Sequence, residues 1–271
     1  MKALDLSVCI ASWNTRELLK QCLASVHGTT SNLRCEVLVV DNASTDESAE
    51  MVRREFPAVR LFVNGTNEGF AAGSNKAIRQ STGRYVLLLN SDTVVLPDTL
   101  GHMVGFLESH PRVGVVGCKL LNPDGTVQLS CRRFPTLSWD YVRVILFSKL
   151  FHHVKPLRTA LQPLLHGDAA DDPRLVDWVS GAALMSRREV FDHVGLLDER
   201  FFMFCEEIDW CYRVSSAGWQ IYYLPDAGVI HYGGESSRQH RLRTYWLLLE
   251  STYRYFTKSR AHATRPSNRP F

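Results

Sequence analysis

Apolar runs and amphipathic stretches alternate through the first ninety residues. Leu6–Ser12 (LSVCIAS), Glu36–Val40 (EVLVV), Val59–Val63 and Tyr85–Leu89 (YVLLL) are short and apolar at consecutive positions, the pattern of buried strands. Between them, Glu17–Val26 places Leu18, Leu19, Cys22, Leu23 and Val26 at helical spacing, with Thr15 as the candidate N-cap. Asp46–Phe56 and Ala71–Gln80 predict two more helices, one stopped by Pro57 and the other near Gly83. This alternation predicts parallel strands joined by crossover helices, an α/β sheet. In such sheets ligands bind beyond the carboxyl ends of the strands.

The second half is less regular. Val113–Gly117 predicts a strand and Asn122–Gly125 a turn. Residues 137–165 mix aromatic and aliphatic side chains with Arg143, Lys149 and Lys155, and His166–Pro173 is a polar loop. Val176–Met185 then predicts a strand containing Gly181, and Glu189–Val194 and Glu206–Ala217 predict helices. Gln220–Leu224 and Gly228–Ile230 predict two short strands. No internal repeat and no Pro/Gly/Ser-rich linker divides residues 1–235, which are expected to be one catalytic body.

The polar residues at the strand ends form a consistent set. Ser12-Trp13-Asn14 follows the first strand, Asp41–Asp46 the second, Asn64–Gly69 the third and Asn90-Ser91-Asp92 the fourth. A carboxylate beside short polar side chains can hold a divalent cation against a diphosphate, and the same residues also make good turns. Ser44, Thr45 and Asp46 suit helix capping, which leaves Asp41 as a candidate for a base or ribose. The small residues of Asn67–Lys76 fit either tight helix–sheet packing or backbone approach to a ligand, and Asn75 is the polar candidate there. Glu206, Glu207 and Asp209 crowd one predicted helix start, as dipole partners or as a general base for an acceptor hydroxyl. His231, at another strand end, is either structural or a metal ligand. No Gly-x-Gly-x-x-Gly follows the first strand and no phosphate-binding P-loop occurs, so dinucleotide and Walker-type readings lose support.

Composition adds the charge distribution. The 271 residues carry a net +3, too little to indicate a nucleic-acid partner. From Ser236 onward, however, eight Lys/Arg face one acid, Glu250, so the tail is +7 and residues 1–235 are −4. Within the tail, Leu242, Tyr245/Trp246, Leu249, Tyr253 and Phe256 recur at helical spacing among basic residues. This predicts a basic amphipathic helix over 236–260 and a tail over 261–271. An anionic membrane surface, the protein's own body or a homodimer contact would each suit that helix. The seven cysteines are odd in number, contain no Cys-x-x-Cys pair and read as reduced thiols of an intracellular protein. No signal peptide precedes the first strand, and no apolar stretch is long enough to span a membrane.

The ordered motifs resemble the family two glycosyltransferases of the GT-A fold, most closely their bacterial rhamnosyltransferase-like branch. The resemblance runs over residues 5–256. It rests on Ser12-Trp13-Asn14, Asp41–Asp46, Asn67–Gly73, Asn90-Ser91-Asp92, Trp178–Ala182, Leu197–Phe202, Glu206–Asp209 and His231–Gly234. It implies an inverting, Mn²⁺- or Mg²⁺-dependent transfer from a nucleotide sugar, dTDP- or UDP-linked, to a glycan or lipid-diphosphate-linked acceptor. Ser12, Asn14, Asp41, Asn67, Gly69, Asn75, Asn90, Ser91 and Asp92 are then expected to bind the donor, with Asp92 and His231 as metal ligands. Trp178, Gly181, Ala182 and Asp209 are expected at the acceptor. The general base falls to Glu207 by the motif, with Glu206 as the alternative. Residues 1–117 would form the donor half and 118–235 the acceptor half, with 137–165 a helical insertion. The branch implies work at the inner face of the cytoplasmic membrane in surface polysaccharide synthesis. A sugar-phosphate nucleotidyltransferase and a non-catalytic glycan- or lipid-binding protein are the rival readings.

Overall fold

The computed structural model describes residues 4–30, 33–135, 172–233 and 241–260. The predicted insertion 137–165 and the tail 261–271 lie outside them. Strands β1 (Leu6–Ser12), β2 (Cys35–Asp41), β3 (Arg60–Val63) and β4 (Tyr85–Leu89) alternate with helices α1 (Arg16–Thr29), α2 (Ser48–Glu55) and α3 (Gly69–Gln80). They pair in parallel in the order β3-β2-β1-β4, with Val8 opposite Val37 and Leu87. The predicted α/β alternation therefore stands.

Beyond β4 the sheet becomes mixed. β5 (Thr93–Val95), α4 (Thr99–Ser109) and β6 (Val113–Leu121) follow, then the short strands β7 (Val127–Gln128), β8 (Cys131–Arg132), β9 (Arg174–Leu175) and β10 (Trp178–Val179). β11 (Ala183–Arg187) runs antiparallel to both β4 and β6, and β12 (Gln220–His231) parallel to β6. The path is β3-β2-β1-β4-β11-β6-β12-β5. Helices α5 (Arg188–Val194), α6 (Glu206–Ser216) and α7 (Arg241–Arg260) complete the described elements.

Three sequence expectations change here. The strand predicted over Val176–Met185 is broken at Ser180-Gly181-Ala182, because β10 pairs with β8 while β11 joins the main sheet. The two strands predicted around Pro225 are one long strand, which passes the proline by a register shift between Leu224 and Gly228. Helix α4 was not among the predicted elements, although Leu100, Met103, Val104 and Leu107 bury one helical face.

Strand alternation divides the core in two. Val8, Ile10, Val37, Val39, Leu87 and Leu89 meet α1, α2 and α4 on one face. Cys9, Leu38, Val40, Val86 and Leu88 meet α3, α5 and α6 on the other, where Phe191 stacks on Trp210 with centroids 4.5 Å apart. A third cluster joins Tyr255 and Phe256 of α7 to Phe201 and Ile208. All seven cysteines are free and most are buried. Among the described residues no helix is long and apolar enough to cross a membrane.

Candidate functional site

The carboxyl ends of β1, β2 and β4 open into a cavity of about 290 Å³, closed on its other sides by the segment before α6 and by the first half of α7. The loops at these strand ends are held by their own side chains. Asn14, in the left-handed region at φ 50°, accepts a hydrogen bond from the Thr45 amide and donates its own amide to Ser44 Oγ. Asp46 serves two helices. Its Oδ2 accepts from the Arg16 amide at the start of α1, and its Oδ1 accepts from the Ser48 amide and hydroxyl at the start of α2. Thr15 is the N-cap residue of α1 as expected, but its side chain makes no cap hydrogen bond and Asp46 supplies one in its place. Thr15 instead forms a buried hydroxyl chain, 3.0 Å from Ser12 Oγ and 2.9 Å from Ser91 Oγ, tying the end of β1 to the Asn90-Ser91-Asp92 turn.

Ser12, Asn67, Gly69, Asn90, Ser91 and Asp92 all line the cavity, as does Asn42. Asp41 lies at the end of β2, 1% exposed. Its Oδ2 accepts from the Ser44 amide while Oδ1 is buried without a partner, an arrangement that costs free energy unless a donor arrives. Gly69 sits at φ +87°, and a Cβ there would come within 2.4 Å of the Phe202 carbonyl oxygen. The glycine therefore serves close approach of α3 to the 202 loop, which the Phe70 amide seals by donating to that same oxygen.

Asp92 and His231 lie side by side in the cavity lining, where β12 pairs with β5. His231 Nε2 lies 3.4 Å from Asp92 Oδ1 and 3.4 Å from the Asn90 side-chain nitrogen. Gln128 determines which imidazole nitrogen is free. Its Nε2 donates to the His231 carbonyl and to Asn122 Oδ1, so its Oε1 is the acceptor left for His231 Nδ1–H at 2.9 Å. The Nε2 lone pair then faces Asp92, the tautomer that a metal-ligating histidine needs. One carboxylate and one imidazole fit a Mn²⁺- or Mg²⁺-type ion that takes its remaining ligands from diphosphate and water. Among the described residues no three His, Cys, Asp or Glu side chains gather into an all-protein metal site.

The lining also carries Glu206 and Glu207, with Gly181 beside Glu207. A Cβ at position 181 would make only ordinary van der Waals contact with Glu207 and Phe70, so Gly181 places its backbone close beside the Glu207 side chain. Phe204 and Cys205 precede the carboxylates with φ of 71° and 66°, strained for non-glycine residues, and this turn aims both acids inward. Each glutamate has its Oε2 buried without a partner. Burial raises both carboxyls above the ordinary range. Glu206 is raised further, because the Glu207 charge adds to its desolvation, and the two share a hydrogen bond. The arrangement favours one proton and one charge shared over the pair.

Five expected site residues do not line the cavity, Asp41 behind it at the end of β2 and four more. Asn14 clasps the two loops and does not line the cavity. Asn75, 1% exposed, spends its amide on Leu197 and Glu199, fastening α3 to that loop. Trp178 donates to the Arg133 carbonyl and packs among core aromatics, while its neighbours Gly181 and Ala182 do line the cavity. Asp209 pairs with Arg213 and Lys258 and anchors α7 rather than facing the cavity. The expected apolar stripe of the tail also divides. Phe256 is buried, whereas Leu242, Trp246 and Tyr253 are exposed, and it is Ser251, Tyr255 and Phe256 that dock the helix. Residues absent from the sequence reading join the site: Arg243, Thr244 and Leu247 of α7 line the cavity, and Gln128 orients His231.

Comparison with known proteins gives the family and the fold. The pattern described as Glycosyl transferase family 2 matches residues 7–162, and that of Glycosyl transferase family group 2 matches residues 85–256. The N-acetylglucosaminyl-diphospho-decaprenol L-rhamnosyltransferase of Mycobacterium tuberculosis is 30% identical over 243 residues, 86% of this chain and 77% of the relative. Rhamnosyltransferase WbbL of Escherichia coli K12 is 27% identical over 216 residues, 77% of each chain. Among solved structures, the mannosyltransferase PcManGT of Pyrobaculum calidifontis, in complex with GDP-Man and Mn²⁺, superposes with a TM-score of 0.57 at 20% identity. S. aureus TarS superposes with a TM-score of 0.58 at 18% identity. The superpositions take in 86% and 84% of this chain, but only 58% and 36% of those longer chains, and at such identity they show a shared fold.

Proposed function

The chain belongs to glycosyl transferase family 2, in its rhamnosyltransferase-like branch, and on that premise we propose that it moves a hexose, rhamnose first among the candidates, from a dTDP- or UDP-sugar to a lipid-diphosphate-linked acceptor with inversion at the anomeric carbon. The observation that carries the reading is one cavity whose lining holds both the Asp92–His231 pair and the buried Glu206 and Glu207 carboxylates. A direct displacement needs a leaving diphosphate on one side of the sugar and a base on the other.

Each residue then has a chemical task. Asp41 offers its unpartnered Oδ1 to an N–H or O–H of the donor nucleoside. Asn90, Ser91 and Ser12 line the path of ribose and diphosphate. Asp92 and His231 are the residues that would hold a divalent cation, and such a cation offsets the negative charge gathering on the leaving diphosphate. The Glu207 carboxylate takes the proton of the acceptor hydroxyl as that oxygen bonds to the anomeric carbon and the bond to the diphosphate breaks. Glu206, hydrogen-bonded to Glu207, orients it. Gly181 and Ala182 line the space for the acceptor beside this base. No covalent enzyme intermediate is required.

The basic tail and the relatives' printed substrates support action at the inner face of the cytoplasmic membrane in surface polysaccharide synthesis. The nucleotidyltransferase and non-catalytic alternatives have no comparable support, since one cavity holds both sets of residues. A thermal-shift panel of nucleotide sugars with Mn²⁺ tests the reading. A donor bound to the native state raises Tm, and dTDP-rhamnose is expected to do so in wild type and far less in Asp92→Ala. An equal rise in both proteins, or none with any nucleotide sugar, would remove its basis.

A further inference from the structure

Helix α7 presents two working faces at once. Arg243, Thr244 and Leu247 form part of the cavity wall. On the adjoining face Leu242 and Trp246 stand 79% and 71% exposed, and Tyr253 continues the line at 72%. These residues fall four and eleven positions after Leu242, with Leu249 at seven, so they make one stripe along the helix. Three large side chains so exposed on one helical face are a contact surface in waiting. The Arg243 guanidinium lies 5.5 Å over the Phe202 ring at the cavity mouth, and among the described residues it makes no ion pair. The same segment of chain is strongly basic, with eight Lys/Arg against Glu250 from Ser236 onward.

The occupant must satisfy both faces together. A soluble glycan would fill the cavity and leave the stripe bare. A second copy of this chain would cover the stripe and, being equally basic there, would bring like charges together. A bilayer with anionic headgroups accepts the stripe and the basic excess, and an acceptor anchored in that bilayer reaches the cavity across the helix. We propose that α7 is the acceptor platform: Leu242, Trp246, Leu249 and Tyr253 enter the membrane, and Arg243 binds the diphosphate of the lipid-linked acceptor where it crosses into the cavity. A guanidinium suits this task because its planar fork pairs two phosphate oxygens at once. The proposal rests on the lipid-diphosphate acceptor class proposed above, and it adds the residues that read it.

Two arms test it, and neither depends on turnover. In the first, wild type and the double variant Leu242→Glu/Trp246→Glu are sedimented with vesicles of phosphatidylglycerol and phosphatidylethanolamine. Both positions are exposed, so Tm is expected to hold, while the bound fraction falls at least tenfold. Unchanged sedimentation overturns the membrane face. A wild-type dimer that becomes monomeric in the variant, with vesicle binding unaltered, assigns the stripe to a second copy and overturns it too.

In the second arm, geranyl diphosphate is titrated by calorimetry into full-length protein whose donor site is filled with dTDP and Mn²⁺. Arg243→Ala is expected to raise its Kd about tenfold or more, with Arg243→Lys between the two and the dTDP affinity unchanged. Equal Kd values for wild type and Arg243→Ala overturn the assignment. So does a variant that loses dTDP affinity or vesicle binding instead, since Arg243 would then serve the donor or a headgroup. Failure of sugar transfer with every acceptor would sink the proposed function, and these binding readouts would still decide the platform.

Discussion

Lys258 fastens the C-terminal helix to the catalytic body, and its removal is the perturbation with the clearest structural arithmetic. Its Nζ lies 2.6 Å from Asp209 Oδ1 and 2.8 Å from Asp198 Oδ2, with the lysine side chain 21% exposed and the carboxylates 6% and 13% exposed. Removing one partner of a fully buried ion pair costs about 3–5 kcal/mol. Here Arg213 still pairs with Asp209 and Arg200 with Asp198, so Lys258→Met, which keeps most of the apolar stem, is expected to cost about 2–3 kcal/mol. For a chain of this size that is a Tm lower by roughly 4–10 °C. Arg200, then Lys258, holds the Asp198 carboxyl well below the usual carboxylate range. A depressed folded pKa contributes stability above the unfolded value and loses it as pH falls through the folded one, so the deficit is expected to be full at neutral pH and to shrink below about pH 4. Calorimetry across pH checks this, with hydrogen exchange over residues 241–260 showing whether α7 loosens first. A variant with wild-type Tm at pH 7 and unchanged exchange in α7 would refute the clamp.

Two other variants separate the parts of the site. Between about pH 4, where an unfolded glutamate ionises, and the raised folded pKa of Glu206, the folded chain keeps a proton that the unfolded chain releases, and each pH unit removes up to about 1.4 kcal/mol of stability. Glu206→Gln removes that slope, so its Tm should gain on wild type as pH rises above about 4; a pH-independent difference would contradict a raised Glu206 carboxyl. Gln128→Leu leaves His231 without its Nδ1 acceptor and should weaken Mn²⁺ affinity in the dTDP complex about 10–100-fold, measured by electron paramagnetic resonance, whereas an unaltered affinity would dismiss the orienting role.

Much of the β1–β4 half was legible because its strands are apolar on both faces and each hands over to a polar turn. β1, β2 and β4 followed from that pattern, and the turns after them do line or support the cavity. What the pattern could not decide is which polar side chain faces a ligand. Asn14, Asn75 and Asp209 have the residue types of a binding site, yet they hold loops and helices together, in the case of Asn75 with partners more than 120 positions away. Long-range pairing of that kind leaves no local trace. Gln128 carried no signal for the same reason, since its contact with His231 spans 103 positions. Left-handed Phe204 and Cys205 are invisible to propensity, which would place glycine or asparagine at such angles. Helix α4, in contrast, has a local signal in the spacing of Leu100, Met103, Val104 and Leu107, while Pro225 makes one bulged strand look like two.

The central claim is that one ionised glutamate, in the cavity that Asp92 and His231 also line, takes the acceptor proton in a single inverting displacement. Glu207→Gln keeps the size of the side chain and removes its basicity. Nucleotide-sugar affinity and sugar transfer should be measured on the same protein preparation, with the anomeric configuration of the wild-type product read by NMR. The account predicts an inverted product and, in the variant, transfer slowed at least about a hundredfold with donor Kd within about twofold. A retained configuration, or a variant that transfers sugar at the wild-type rate, would contradict it.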